Sequence, residues 1–476
     1  MRGRRPKPLD EGSGIVCHSG RGLVLYDRKL NAQAVFHLTK SGNNKPKAPQ
    51  IIPRADHKVS RDEISKSALK VLYRLHKSGY QAFLVGGCVR DILLGLHPKD
   101  FDVATNATPE EVRALFRNCR LIGRRFRLAH VRFGREVIEV ATFRAAAVHE
   151  HDDSHHDEEG RILRDNVYGS IDEDVWRRDF TCNALYYNIA DFSIWDYVGG
   201  VEHVKRKRLV LIGDPDKRLR EDPVRMLRAV RFAGKLGFTI DQTVVNAIDR
   251  DCHLLTNVPA ARLFDEFLKL FQAGHAESTF DFLREHKLFA EMFPATDQEL
   301  NEDPGFADFV RAALRNTDNR VSEGKSVTPM FLLGVFLWAP IRRLAGVRRA
   351  EEKMSESQSL SLASHEICAQ QQRRISIPRR FTVPMREMLS LQPRFHFMRG
   401  KRGMNLLNHK RFRAAYDFMV LRAETGEFDD EIASFWTNVQ TQSADEQAAS
   451  FQVQAQAKQR RPRRRRRRRA KPADST

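Results

Sequence analysis

The chain has 476 residues, 41% of them hydrophobic, which is enough for several domains with buried cores and excludes wholesale disorder. Lysines and arginines number 81 against 61 aspartates and glutamates, and the net charge of +20 indicates a polyanionic partner: RNA, DNA or an anionic membrane. Six widely separated cysteines without a C-x-x-C pair argue against a disulfide framework or a cysteine-rich zinc site, and favour a reducing cytoplasm.

The two ends of the chain differ from its middle in composition. Residues 1–55 are basic, rich in Gly, Asn and Pro, and lack periodicity, which predicts a flexible leader. Residues 458–476 contain eleven lysines and arginines and one aspartate, so this tail carries +10 and the rest of the chain a modest surplus. No secretory h-region follows the N-terminus, and the longest apolar run, residues 330–339, is too short to span a bilayer. We therefore expect no membrane span.

Between these ends, strand-like and helical patterns alternate up to about residue 200. Helices are predicted at residues 61–79, from the Gly86-Gly87 turn to residue 94, and from residue 108, where capping residues precede the helix. Strands are predicted at residues 81–85, 101–103, 128–133, 136–143, 185–189 and 194–198, with a polar interruption at residues 145–165. This pattern predicts a small head built on a mixed β-sheet.

From about residue 216 the periodicity is helical throughout, with breaks predicted at Pro259, Pro294, Pro329 and Pro384. The predicted fold class is therefore α+β, with a mixed-sheet head, a long all-α neck and body, and a disordered basic C-terminal tail. The predicted domains are the leader (1–55), the head (56–200), the neck (201–275), an RNA-binding helical body (276–440) and the tail (441–476).

Two aspartates, Asp100 and Asp102, flank Phe101 in one predicted strand. Residues two apart in a strand project to the same face, so these carboxylates would converge while Phe101 enters the core. Converging carboxylates suit a pair of Mg²⁺ ions, one activating an attacking hydroxyl and the other steadying a leaving phosphate; two solvated acids are the alternative. Gly86-Gly87 upstream favours the catalytic interpretation, because glycines allow close backbone approach and amides at a helix N-terminus attract phosphate.

Two further acids are candidates for a third position in this site. Glu139 lies between apolar residues in a predicted strand and points to the face opposite theirs; an edge acid facing water is the alternative. Asp179 follows Arg177 and Arg178, where an ion pair or a helix cap is the alternative. The sequence leaves open which of the two acids completes the site.

Residues 84–95, L-V-G-G-C-V-R-D-I-L-L-G, and the following K-D-F-D resemble the signature of the class II nucleotidyltransferase superfamily. This superfamily comprises bacterial poly(A) polymerases and CCA-adding tRNA enzymes, and the resemblance extends over about residues 52–425. It implies a nucleotidyltransferase head in which Asp100 and Asp102 bind two Mg²⁺ ions, for which Mn²⁺ can substitute. The R-R-D-F-T-C-N-A-L-Y-Y segment resembles the next motif and implies a catalytic role for Asp179.

A third segment, R-E-D-P-V-R-M-L-R-A-V-R-F, is similar to the nucleotide-selecting motif of the superfamily. Its residues predict that Asp222 caps a helix starting at Pro223, with Arg225 and Arg228 close by on its surface. Such an acid and arginine can match the hydrogen-bonding edge of a base, whereas ordinary surface ion pairs are the alternative. The nucleotide-binding residues that the resemblance implies are Gly86, Gly87, Arg90, Arg177, Arg178, Asp222, Arg225 and Arg228.

The choice between the two branches depends on segments outside the shared motifs. Residues 118–131 and 408–417, and the arginine-rich terminus, are similar to the poly(A) polymerase branch. That branch implies template-independent addition of AMP from ATP to RNA 3′ ends, with release of pyrophosphate and promotion of RNA decay, in the cytoplasm and with RNA-decay proteins as further partners. A CCA-adding enzyme and a catalytically silent RNA-binding protein are the alternatives.

The tail has a simple electrostatic interpretation. A run of arginines neutralises RNA phosphates without reading sequence, and its affinity falls steeply with salt; a protein-interaction arm is the alternative. The predicted RNA-binding residues of the tail are Arg460, Arg461, Arg463, Arg464, Arg465, Arg466, Arg467, Arg468 and Arg469.

Overall fold

The computed structural model describes residues 48–123, 127–145 and 167–452, which form a mixed β-sheet head followed by helices. The strands are β1 (Gln50–Ile52), β2 (Ala82–Val85), β3 (Asp102–Thr105), β4 (Cys119–Ile122), β5 (Leu128–Phe133), β6 (Glu136–Thr142), β7 (Leu185–Asn188), β8 (Ile194–Asp196), β9 (Arg208–Leu209) and β10 (Thr239–Ile240). The first eight form one sheet in the order β1-β8-β7-β2-β3-β6-β5-β4, while β9 and β10 pair separately. Within the large sheet only β3 and β6 are parallel neighbours.

The helices lie mostly after the sheet, as the sequence predicts. Those of the head are α1 (Lys66–Lys77), α2 (Gly87–Leu93), α3 (Pro109–Leu115), α4 (Ile171–Arg177) and α5 (Gly200–Lys205). Those of the neck are α6 (Pro215–Glu221), α7 (Val224–Leu236), α8 (Gln242–Asp251) and α9 (Ala260–Phe271). Those that follow are α10 (Ala276–Glu285), α11 (Leu288–Met292), α12 (Pro294–Glu302), α13 (Pro304–Ser322), α14 (Pro329–Glu351), α15 (Glu356–Arg374), α16 (Arg379–Ser390), α17 (Gly400–Leu407), α18 (Phe412–Glu424), α19 (Asp430–Thr441) and α20 (Ala444–Gln452).

The centre of the head is β2, whose four residues are all buried because both faces of the sheet are covered. Leu84 packs with the buried face of α1 in the main core, while Phe83 and Val85 belong to a second core on the opposite face. The strand ends at the glycine turn into α2. Because β2 and β3 are antiparallel, this turn lies at the same edge of the sheet as the start of β3.

Aromatic and aliphatic packing forms the helical part. One face of α7 is apolar and buried, and Phe232 of that helix packs edge-on against Phe180 of the head with ring centroids 5.6 Å apart. In the body, five phenylalanine rings lie with their centroids within 6.3 Å of the ring of Phe336: Phe267, Phe271, Phe280, Phe289 and Phe293.

Helix α14, which carries Phe336, is the one described helix long and apolar enough to cross a bilayer. Of its most apolar window of residues, 67% is buried inside the protein, and the residues from Leu332 to Ile341 are all buried. α14 is therefore a core helix of the body.

One of the four predicted helix breaks is wrong. Pro259, Pro294 and Pro329 stand at helix starts, where the missing amide costs nothing, but Pro384 lies inside α16. Its lost backbone hydrogen bond is offset by neighbouring side chains of α16, because Met385 and Leu389 are completely buried in the core.

The ordered chain extends further than predicted at both ends. The prediction of a flexible leader is wrong for β1, which pairs antiparallel with β8. The predicted tail begins with α20, whose Phe451 is buried against Trp436, with ring centroids 5.8 Å apart. The rest of the leader (1–47), the tail arginines and residues 146–166 lie outside the described residues.

Candidate active site

Three carboxylates gather at the edge of the sheet beside the glycine turn. Asp102 is the first residue of β3, and the register places it opposite Val85 on β2 and Glu139 on β6. Asp100 lies two residues before Asp102, ahead of the strand rather than within it as predicted. Phe101 is buried between them, as expected from the alternation.

The surroundings of Asp102 are unusually negative. Partial burial and the charges of Glu139 and Asp100 raise its pKa to about 6, against the opposing effect of the Arg178 guanidinium. More than a third of Asp102 is nevertheless accessible, so solvent can reach its carboxylate. Glu139 also approaches the ring of His130 on β5, with 3.2 Å between Oε1 and Nε2. A solvent-accessible carboxylate whose pKa is raised by neighbouring acids favours a bound cation.

The chemistry of these donors fits Mg²⁺. In the part of the chain that the structure describes, no three His, Cys, Asp or Glu side chains are already arranged around a common metal position. Mg²⁺ does not need such a cage, because it is commonly held by one or two carboxylates with water and substrate phosphates. Asp100 and Asp102 offer such hard oxygen donors, and Glu139 lies beside Asp102.

The glycine turn brings backbone close to these acids. Gly86 has φ 81° and ψ −133°, a conformation that is strained for other residues, and its amide donates to the Leu185 carbonyl at 3.2 Å. Helix α2 begins at Gly87 with amides that have no intrahelical acceptor. The Cys88 thiol is buried and donates to the Val85 carbonyl, and burial raises its pKa to about 12.

Arg90 lies beneath the turn rather than on its surface. Only 2% of the residue is exposed, and its guanidinium donates to Asp91 Oδ1 at 2.6 Å and to Asn183 Oδ1 at 2.5 Å. Asn183 Nδ2 in turn donates to Asp179 Oδ1 at 3.2 Å. Sequence reasoning missed Asn183, although a polar amide between the apolar Cys182 and Ala184 was a usable signal.

Asp179 forms an ion pair with Arg228 of the neck. Its Oδ2 accepts from Nε at 2.8 Å and from Nη2 at 2.5 Å, and its Oδ1 accepts from the Phe180 amide at 2.7 Å. Burial by itself would raise the pKa of Asp179, but Arg228 and these hydrogen bonds outweigh it and lower the pKa. The structure thus brings Glu139 against Asp102, and places Asp179 where the head contacts the neck.

Arg178 is held in a buried polar cluster. Its Nε donates to Tyr186 Oη at 2.7 Å and its Nη2 to Asp174 Oδ2 at 3.1 Å, while Tyr186 Oη donates to the same carboxylate at 2.7 Å. Burial would lower the pKa of Arg178, but these two partners raise it above its ordinary value. The guanidinium therefore keeps its charge, which acts on Asp102 nearby.

Arg218 on α6, which sequence reasoning did not single out, anchors the backbone of this region. Its Nη2 donates to the carbonyl oxygens of Arg177 at 3.2 Å and Arg178 at 2.7 Å, and its Nη1 donates to Glu221 at 2.7 Å. The side chain of Arg177 donates to the Ala145 carbonyl at 2.9 Å. Arg218 thus connects the neck to the end of α4.

Asp222 and Arg225, predicted as a base-reading pair, hold different partners. Both oxygens of Asp222 accept from Arg262 on α9, at 2.8 and 2.7 Å, a bidentate pair that sequence reasoning did not find. Arg225 Nη1 donates to Glu221 at 3.1 Å. Helix α7 begins at Val224, one residue later than predicted, and the Val224 amide donates to Asp222 Oδ1 at 3.3 Å.

The mixed-sheet head, the glycine turn beside paired acids and the helical neck define a nucleotidyltransferase. Three family descriptions match parts of the chain: "Poly A polymerase head domain" at residues 82–210, "Probable RNA and SrmB-binding site of polymerase A" at residues 237–300, and "Polymerase A arginine-rich C-terminus" at residues 352–471.

Individual relatives separate the two branches. Poly(A) polymerase I of Salmonella typhimurium is 47% identical over 404 residues, covering 83% of this chain and 87% of the relative. A CCA-adding enzyme of Bacillus pumilus is 37% identical over 236 residues, covering 50% of this chain and 57% of that enzyme. A solved structure of the Thermotoga maritima CCA-adding enzyme complexed with tRNA_CCA shares the fold, with a TM-score of 0.52 at 18% identity, over 80% of this chain and 82% of that chain. The chain belongs to the poly(A) polymerase I family.

Proposed function

We propose that this chain adds AMP units from ATP to RNA 3′ ends without a template, and that these tails promote RNA decay in the cytoplasm. The observation that carries the proposal is the acid cluster of Asp100, Asp102 and Glu139 beside the Gly86 turn. It occurs in a chain that is 47% identical to a poly(A) polymerase I over most of its length.

The reaction is an in-line substitution at phosphorus. The RNA 3′-hydroxyl attacks the α-phosphate of ATP, a new P–O bond forms, and the bond to pyrophosphate breaks. Asp100 and Asp102 would hold Mg²⁺, or Mn²⁺ in its place, and the bound metal would supply Lewis acidity for the hydroxyl and the leaving group. Glu139 supports these carboxylates, and most of the acceleration comes from positioning and charge stabilisation.

The remaining residues hold or recognise the nucleotide. Gly86 and Gly87 admit the triphosphate because they have no side chain between backbone and ligand. The arginines of the head and neck have separate roles in this proposal. Arg90 supports the glycine turn from below through Asn183, and Arg178 balances the negative charge of the acids. Arg177 and Arg228 position the ribose of the nucleotide. Asp222 and Arg225 read the base. At present Asp222 is paired with Arg262 and Arg225 with Glu221, so one of these pairs must open for its residue to bind the edge of the base.

A substrate panel tests this function. The purified chain is given each nucleoside triphosphate singly, with a generic RNA and with a tRNA that lacks its CCA end. We expect long tails on the generic RNA with ATP alone. Short addition restricted to tRNA and dependent on CTP and ATP would instead identify a CCA-adding enzyme, and no product with any pair would identify an RNA-binding protein without activity.

A further inference from the structure

The folded body contains a second concentration of positive charge besides the tail. Residues 373–413, here called the basic band, include twelve lysines and arginines and a single acid, Glu387, for a net charge of +11. Without the band and the tail, the remaining residues of the chain have a net charge of about −1. The modest surplus of positive charge outside the tail is therefore confined to the basic band, a stretch of about forty residues.

Most cations of the band lack carboxylate partners. Lys410 and Arg411 share Glu387, and Arg413 pairs with Asp417; within the described ranges, the other nine form no ion pair. In contrast, each of the twelve arginines between residues 206 and 315 has a carboxylate within 4 Å. The arginines between residues 206 and 315 are thus neutralised within the protein, whereas most of those in the basic band are not.

The band is a surface, not a core feature. Nine of its twelve cations are exposed, and they project from the end of α15, from α16, α17 and the start of α18, and from the connections between these helices. The elements pack on one another, and the positive charges of Arg394, Lys410 and Arg411 together contribute to a lowered pKa of His409, after burial as the main cause. Like charges held this close repel one another, so the folded band gains stability from a bound polyanion.

One end of the band adjoins the neck near the proposed base-reading residues. The Ser376 amide donates to the Ala260 carbonyl at the start of α9 at 3.0 Å, and Phe381 packs against Phe264 with ring centroids 5.8 Å apart. Two residues along α9, Arg262 binds Asp222. The band therefore leads from the neck out along the body.

The band also contains groups suited to a single strand. Phe397 is 41% exposed, and the Arg402 guanidinium lies 5.2 Å from its ring centroid, which is a site where a base can stack. Arg386 Nε is buried and has no hydrogen-bond partner among the described residues. Unpaired cations interleaved with an exposed aromatic ring are typical of surfaces that bind single-stranded nucleic acid.

We propose that the basic band is the docking surface for the single-stranded RNA that lies upstream of the 3′ end being extended. The proposal rests on the proposed function for the direction of the strand, because the 3′ end must reach the acid cluster. The band binds phosphates without reading sequence, so RNA long enough to leave the head and neck gains affinity from it, while short RNA does not.

The test compares two full-length variants with equal changes in charge. The band variant replaces four exposed, unpaired arginines by glutamine: Arg379→Gln, Arg380→Gln, Arg399→Gln and Arg402→Gln. The control variant replaces four ion-paired cations, of which Arg311 is half-buried and the others are exposed: Arg206→Gln, Arg311→Gln, Arg315→Gln and Lys325→Gln. Affinity is measured for RNAs of about 6 and about 30 nucleotides over a range of salt concentrations, and thermal melting checks that both variants are folded.

For the long RNA we expect the band variant to bind about tenfold or more weakly than the control, with a plot of log affinity against log salt shallower by about 3, at roughly 0.7 per lost phosphate contact. For the short RNA the two variants should have the same affinity.

Equal affinity of both variants for the long RNA would overturn the proposal. So would a band variant that keeps its RNA affinity but no longer binds phosphatidylserine vesicles, because the partner would then be a membrane. Absence of AMP addition by the unmodified chain would refute the proposed function only, since the binding comparison does not depend on it.

Discussion

Asp102 and Asp179 are both aspartates of the head, yet their surroundings shift their pKa values in opposite directions. Partial burial and neighbouring acids raise the pKa of Asp102, whereas Arg228 and two hydrogen bonds overcome burial and lower the pKa of Asp179. Excess negative charge that solvent can reach suits cation binding. A carboxylate already neutralised by a guanidinium suits the fixing of two parts of the molecule.

The first prediction concerns Glu139. Glu139→Gln removes a negative charge beside Asp102, so we expect half-maximal AMP incorporation to need about tenfold more Mg²⁺, a loss typical of a residue that supports metal ligands. Direct Mn²⁺ binding measured by electron paramagnetic resonance should weaken in parallel. Glu136→Gln is the matched control, because Glu136 lies on the same strand but projects to the other face. The same Mg²⁺ dependence in both variants would refute a supporting role for Glu139.

The second prediction concerns Asp179. Asp179→Asn leaves Arg228 without its partner, so we expect the free energy of unfolding at neutral pH to fall by about 3 kcal/mol, the cost typical of breaking a largely buried pair. Because the pKa of Asp179 is lowered in the folded protein, its contribution is complete above the ordinary value of about 4 and is lost as the pH falls through the lowered value. Denaturation by urea should therefore show a gap between the two proteins that narrows in acid. A gap of zero at neutral pH would contradict the assignment.

At the scale of elements, the neck holds the head through side chains that reach across the junction. Arg218 on α6 binds the two carbonyls at the end of α4, and Arg228 on α7 binds Asp179 a residue further along the head. Carbonyls at the last turn of a helix lack intrahelical donors, so a guanidinium satisfies them well. The position of Arg178 in the head thus depends on α6, a helix of the neck.

The third prediction follows from that anchor. Arg218→Ala frees the backbone that carries Arg178, so we expect kcat for AMP addition to fall about 10- to 100-fold while RNA affinity stays unchanged, because small misplacements at a reacting centre are costly. Arg218→Lys should recover part of the rate by keeping one donor. Arg220→Ala, on the same helix but paired with Asp251, serves as the control. Equal kcat values for the two alanine variants would show that Arg218 has no positioning role.

Hydrophobic periodicity predicted the central strands of the head but not the two edge strands of its sheet. β2, β5 and β6 match their predicted positions within a residue, because buried strands leave strong apolar patterns. β1 and β4 escaped because they are edge strands with a neighbour on one side only, so their sequences need less apolar character. The helix break predicted at Pro384 is wrong because tertiary packing of α16 overrides the tendency of proline to end a helix.

At the scale of the whole molecule, the sequence located the acids and the glycine turn, but not how they are supported. Asp100, Asp102 and Gly86 lie within seventeen residues of one another, so a motif can specify them. The pairs Arg90–Asn183, Asp179–Arg228 and Asp222–Arg262 join residues 93, 49 and 40 positions apart, and only folding selects such partners. The basic band was hidden for the same reason, since only the folded structure shows that most of its cations have no acid nearby.

The proposed function depends most on Asp100 and Asp102, the two aspartates beside the glycine turn, as the residues that make AMP transfer to RNA possible. The most direct measurement is AMP incorporation by a purified Asp100→Asn, Asp102→Asn double variant, alongside a Glu202→Gln, Glu302→Gln control with the same change in charge. We expect incorporation by the aspartate variant to fall at least about a thousandfold, because the proposed Mg²⁺ ligands are gone, while its RNA affinity matches that of the control. Tailing by the aspartate variant at the rate of the control would refute the catalytic role of Asp100 and Asp102.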